Sequence, residues 1–206
     1  MNPEIFVYKI VADNGGVPCP WRGLLSLALC KPKIRKTAKV GDVIFGFGGK
    51  EYGERLLFIA EVTEKPEKGD YYRLPRFANR PDCIDEDVHG QAKRRNNAKY
   101  HTSSDERMKD VGTHFENAPV LLSRDFRYFG SKGTADYKGD GAFGEITALI
   151  ESLKRGHRKN HSDKLRKQLL HLRERMWRNY VRMQVGSPTD SDTCGICNTD
   201  TPSVTC

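Results

Sequence analysis

Three histidines, His89, His101 and His114, share one stretch of the chain with Asp85, Glu86, Asp87, Asp105 and Glu106. An unperturbed imidazole titrates near neutrality, so such a set can supply a general acid and a general base. His89 and His101 are the candidate catalytic residues on that reading; solvated loop histidines are the plainer alternative. Their spacing makes no facial metal set, and neither HExxH nor the HxE…PCxxC signature of zinc hydrolases and base deaminases is present. Near the C-terminus Cys194 and Cys197 form a CxxC pair, with Cys206 beyond. That is half of a tetrahedral zinc site without a fourth ligand, so no metal site is assigned. The glycines of FGFGGKEYGE (Gly46, Gly48, Gly49 and Gly53) lack the GxxxxGK[ST] pattern and precede a strand, which reads as a hairpin turn. No cofactor motif is found.

A second kind of chemistry is electrostatic. Lys31, Lys33, Arg35, Lys36 and Lys39 fall within nine residues that hold no carboxylate. Pro32 disfavours a helix at Lys31, and in an extended chain alternate residues share a face. Lys31, Lys33 and Arg35 would then point together, with Ile34 behind them. Neighbouring cations repel unless an anion lies over them, and a phosphate backbone is the natural counterpart. A solvated loop is the bland reading of the same run. Trp21 lies upstream and can stack a base. In YYRLPRFANRP, Tyr71, Tyr72 and Phe77 alternate with Arg73, Arg76 and Arg80, a mixture suited to base stacking and phosphate contact. The expected binding set is Lys31, Lys33, Arg35 and Arg76 for phosphate, with Trp21 and Tyr72 for stacking.

The elements that must position these residues are short. EIFVYKIVA, LLSLALC, DVIFGFG, RLLFIAEVTE, APVLLS and DFRYFG read as strands bounded by turn residues. From about 65 to 117 the chain is polar and aperiodic, which predicts a long functional or disordered loop. After Gly144 the period becomes helical. Ile146, Leu149, Ile150 and Leu153 mark one helix; Leu165, Leu169, Leu172, Met176 and Tyr180 mark a longer, basic one capped by Ser162. Strands followed by helices predict an α+β fold, with a compact curved mixed β-sheet or small barrel and two C-terminal helices. The expected organisation is an α+β domain over 1–143, a helical segment over 144–185 and a flexible cysteine-containing tail over 186–206.

Composition narrows the partner. The 206 residues carry a formal net charge of +8, 30% charged and 37% apolar side chains, enough for a core and biased towards an anionic partner. No apolar run reaches the roughly 20 residues of a membrane span, and the N-terminus lacks a secretory pattern. A cytoplasmic protein with reduced thiols is expected, and no membrane partner.

The segments YKIVADNGGVPCPWRGLLSLALCKPKIRKTAKVGDVIFGFGG, FIAEV and VLLSRDFRYFG, within residues 4 to 130, resemble the second type of nucleotide modification associated domain. Lys31, Pro32, Lys33, Ile34, Arg35, Gly41 and Asp42 match its motif positions; Pro18-Cys19-Pro20 stands where relatives carry Pro-Asn-Pro. The resemblance implies a bacterial or phage protein linked to DNA base hypermodification, with DNA-modification enzymes as partners. It carries no reaction mechanism. Three functions follow as expectations. The first is binding of nucleic acid or a modified nucleotide in a basic groove. The second is an enzyme that modifies a DNA base or nucleotide in that groove, and the third an assembly protein that docks an acidic partner. The binding function is the expectation, because no catalytic constellation is complete in the sequence.

Overall fold

The computed structural model describes residues 2–154 and 156–189, and Cys194, Cys197 and Cys206 lie outside them. In chain order the strands are β1 (Ile5–Ile10), β2 (Cys19–Trp21), β3 (Leu24–Leu27), β4 (Val43–Gly48), β5 (Leu56–Glu61), β6 (Asp85–Val88), β7 (Gln91–Arg94), β8 (Leu121–Ser123), β9 (Asp125–Tyr128) and β10 (His157–Arg158). The helices are α1 (Pro32–Thr37), α2 (Asp70–Arg73), α3 (Ser104–Asp110), α4 (Gly144–Ser152) and α5 (Asp163–Asn179). The fold is α+β. The described parts of 1–14, 41–61 and 125–206 form one compact unit, and 15–40 with 62–124 form a second.

The first unit is built on a five-stranded sheet in the order β10-β1-β4-β5-β9. The β1 and β4 strands run parallel and the remaining pairs antiparallel, so the sheet is mixed. Its order ends on two different edge strands, so it stays open and the barrel alternative is set aside. Alternation puts Ile5, Val7, Val43, Phe45 and Phe47 in one buried cluster with Ile146, Leu149 and Ile150 of α4 and Leu165, Leu169, Leu172 and Met176 of α5. That is the stripe read from the sequence. The Ser162 hydroxyl accepts from the Leu165 N–H at 3.2 Å and caps α5. Gly46 is required where β4 meets β5, since a Cβ there would come within 2.2 Å of the Phe58 ring.

The second unit holds the antiparallel sheet β2-β3-β8 and the hairpin β6-β7. The segment VPCPW forms β2, with Cys19 opposite Ser26 and Trp21 opposite Leu24. Leu24, Ala28, Leu29, Tyr71, Tyr72, Phe77, Ile84, Val111, Phe115 and Leu122 make its apolar core. The polar stretch from 65 to 117, expected as a loop, instead supplies α2, α3 and the hairpin. It folds because many of its charges pair internally. Arg80 lies 3.5 Å from Asp82, Arg107 Nε donates to Asp85 at 2.7 Å, and Asp110 pairs with Arg35. Two residues join β6 to β7, His89 and Gly90, both at positive φ (54° and 82°), as a type I′ turn demands.

Candidate catalytic site

Every residue singled out for function within the described chain lies in the second unit, but the structure does not assemble them as one groove. The segment after Cys30 is helical, which corrects the extended reading. Pro32 does keep Lys31 out of the helix: Lys31 sits at φ 48°, ψ 43°, and Pro32 opens α1 at a position that needs no N–H donor. Helical spacing then turns Ile34 and Arg35 inward, while Lys33 and Lys36 stay exposed.

Arg35 is fully buried. Nε donates to the Cys30 carbonyl at 2.8 Å, and one terminal nitrogen donates to the Pro119 carbonyl at 3.0 Å and the Asn117 carbonyl at 3.4 Å. The other donates to Asp110 Oδ1 at 2.6 Å and the Asp110 carbonyl at 3.2 Å. All five guanidinium N–H groups are thus committed inside the protein, and none is left for phosphate.

The other expected contacts are also drawn inward or paired. Tyr72 is 2% exposed; its ring stacks on Phe115 at 5.6 Å and meets Tyr71 edge-on at 5.3 Å. Burial holds its hydroxyl well above the usual phenol range, and Arg35 partly offsets this. Trp21 is half-buried, with the Arg22 and Arg80 guanidiniums 4.4 Å and 5.7 Å from its ring. Arg76 is exposed, lies over Phe77 at 4.4 Å and pairs with Glu64. His89 is exposed at the tip of the β6-β7 hairpin, and His114 is exposed beside the Gly90 carbonyl.

His101 differs from both. Its Nε2 lies 3.4 Å from Cys30 Sγ, and its Nδ1 lies 3.3 Å from Asp110 Oδ2. No hydrogen bond forms at Nδ1, so the second approach is a close polar contact. Such contacts are often loose before a substrate is bound. Asp110 Oδ2 also accepts the Cys30 backbone N–H at 2.6 Å. Thiol, imidazole and carboxylate therefore stand in series, with Arg35 behind the carboxylate. Cys30, Lys31 and His101 all adopt left-handed backbone, at φ 52°, 48° and 50°. That conformation costs roughly 1–3 kcal/mol for each non-glycine residue and concentrates at functional sites. The site is not sealed, since the His101 side chain keeps 10% exposure.

The same three side chains place ligand atoms within 4.8 Å of one another and form a donor set of the zinc type. Both Asp110 oxygens, however, already accept short hydrogen bonds, one from a cation. The arrangement suits a proton relay.

The family model for nucleotide modification associated domain 2 matches residues 2–193. The chain belongs to this family. No curated protein and no solved structure matches it. In this nucleotide modification associated domain, Ile34, Arg35, Gly41 and Asp42 of the motif that carried the sequence resemblance serve the scaffold. Ile34 is fully buried, Arg35 anchors Asp110, Gly41 takes φ 91°, and Asp42 Oδ1 accepts the Glu4 N–H at 2.8 Å. Sequence reasoning missed Cys30 and Asp110 as partners of His101. Cys30 lies 71 residues from His101 and 80 from Asp110, so no local spacing could announce the thiol, whereas Asp110 follows His101 by nine residues.

The other two described thiols sit in different surroundings. Cys19 is 1% exposed, and burial together with Asp82 pushes its thiol well up. Its carbonyl, not its side chain, accepts from Arg80 at 2.9 Å. Asp82 is held by Ser26 at 2.5 Å and Tyr71 at 2.7 Å. Burial pushes Cys83 up to about 11. The folded protein then keeps the Cys83 proton while the unfolded chain loses it above about pH 8.5. Stability from this group is intact below that pH and falls by about 1.4 kcal/mol per pH unit up to about pH 11. Urea midpoints at pH about 8 and about 10 should therefore drop for wild type and drop less for Cys83→Ala. Equal drops would contradict the assignment.

Proposed function

We propose that this nucleotide modification associated domain 2 protein is an enzyme that acts covalently on a nucleic acid or nucleotide. Cys30 is the nucleophile, His101 moves the thiol proton, and Asp110 orients the imidazole. One observation carries this reading: Cys30 Sγ and Asp110 Oδ2 flank the two ring nitrogens of His101 at 3.4 Å and 3.3 Å. A thiol acts as its thiolate, and an adjacent imidazole is the usual means of generating one. Arg35 holds Asp110 in place through its 2.6 Å contact. Lys33 and Lys36 stay exposed on α1, within six residues of Cys30, and supply cationic surface for phosphate together with Lys31.

The test is shielding of the thiol. In a protein whose Cys194, Cys197 and Cys206 are replaced by serine, iodoacetamide reports on the remaining cysteines. A mixture of the four deoxynucleoside monophosphates, or a random-sequence duplex, should slow alkylation of Cys30 about tenfold when present at about ten times its Kd. Higher salt should weaken the shielding by the duplex. Unchanged alkylation with both probes would contradict the proposal. Shielding of a thiol whose reactivity ignores His101 would favour a binding module without chemistry.

A further inference from the structure

We infer that the first unit carries a cationic cleft of its own, which seats the phosphate backbone of a nucleic acid without help from Cys30. It opens beside β10, the edge strand of the five-stranded sheet, as a cavity of about 370 Å³ lined by His157, Arg158, Lys159 and Asn160. Each of these side chains can donate a hydrogen bond, two carry a fixed positive charge, and no described carboxylate lines the cleft. The surrounding stretch 154–167 holds seven lysines and arginines and a single acid, Asp163.

A merely solvated run would have the same composition, but this one is held in shape. Arg158 stands in register with Val7 and His157 with Tyr8, and the His157 ring lies 6.0 Å from that of Phe6. His161 Nε2 meets the Ile5 carbonyl at 2.9 Å, and Arg166 donates to the Pro3 carbonyl. With Ser162 capping α5, the turn from β10 into α5 is pinned along β1, so a ligand need not pay to order it. Among the described residues Arg158 pairs with no carboxylate. Lys159 pairs with Glu4 at 3.3 Å, but both side chains are exposed, and a pair of that kind is weak enough for phosphate to replace. Burial holds the His161 imidazole below its usual range, and the charges of Arg158 and Arg166 add to this against the Ile5 carbonyl, so the potential there is positive. Lys167, His171 and Arg178 follow at helical spacing on an exposed face of α5, so the charge continues past the cleft. A backbone uses such a row, whereas a single anion does not, and phosphate contacts of this kind position a nucleic acid without reading its sequence.

The experiment is fluorescence anisotropy of a random-sequence DNA duplex and of its single strand, all in a Cys30→Ser protein so that the result does not depend on the covalent function. Arg158→Ala/Lys159→Ala should raise the Kd of at least one probe about tenfold at about 50 mM salt. It should also flatten the dependence of log Kd on log salt by about one to two. The control Lys50→Ala/Lys132→Ala removes the same charge from exposed positions at the end of the sheet remote from Glu4, and should change neither quantity appreciably. All four side chains are exposed, so thermal melting should show both variants folded. A parent protein that binds neither probe overturns the inference, and so does a cleft variant that binds no more weakly than the control. Calorimetric binding of inorganic phosphate that needs Arg158, with both probes bound alike by parent and cleft variant, also overturns it and makes the cleft a site for a free anion. None of these results bears on the alkylation of Cys30, so this inference and the covalent function fail separately.

Discussion

Arg35→Met should lower the unfolding free energy by about 3–5 kcal/mol, the cost of leaving a buried carboxylate without its cation. The Arg35 and Asp110 side chains are 0% and 4% exposed and 2.6 Å apart, so neither water nor salt can replace the lost partner. Four backbone carbonyls, of Cys30, Asp110, Asn117 and Pro119, lose this donor in the same substitution. The urea midpoint should fall with little change in slope. The double variant Arg35→Met/Asp110→Leu should recover part of the loss, because removing both charges spares the unpaired ion. It should not recover Cys30 reactivity, since the Cys30 N–H and His101 both lose their carboxylate. A cation used only for phosphate would behave in the opposite way, leaving stability intact and weakening binding.

Arg35 also shows where the sequence could and could not be read. The helices α4 and α5 were legible because their apolar residues recur at helical spacing and one face is buried against the sheet. Strands β4 and β5 were legible because breakers bound their apolar runs. The cation run misled because a short helix, not an extended strand, follows Lys31. A rotation of about 100° per residue sends Arg35 inward and leaves Lys33 outside. The stretch from 65 to 117 looked unstructured because a buried charge has the same letter as a solvated one. Asp82, Asp85 and Asp110 are 0%, 0% and 3% exposed, and their partners, Arg80, Arg107 and Arg35, explain why. Tyr72 offered the same ambiguity between a stacking surface and a core ring, and the core holds it. His101 was picked out by its chemistry alone; the thiol beside it comes from a segment 71 residues earlier in the chain.

The second large effect concerns His101→Asn. The substitution keeps a polar side chain of similar size but removes the base, so iodoacetamide should modify Cys30 about a hundredfold more slowly at neutral pH. Stability should change far less than in Arg35→Met, because the 3.3 Å contact of His101 with Asp110 is not the bond that holds the carboxylate. Asp110→Asn should slow the reaction as well, by misorienting the imidazole.

Mapping the modified cysteine by peptide mass spectrometry is the most direct measurement. After brief exposure of the native protein, with the three C-terminal cysteines replaced by serine, to one equivalent of iodoacetamide at neutral pH, the label should sit on Cys30. Cys19 and Cys83, whose thiols burial keeps protonated, should be untouched, and His101→Asn should lose the label. Label shared among the three thiols, or a Cys30 that reacts equally well without His101, would contradict a nucleophile activated by this histidine.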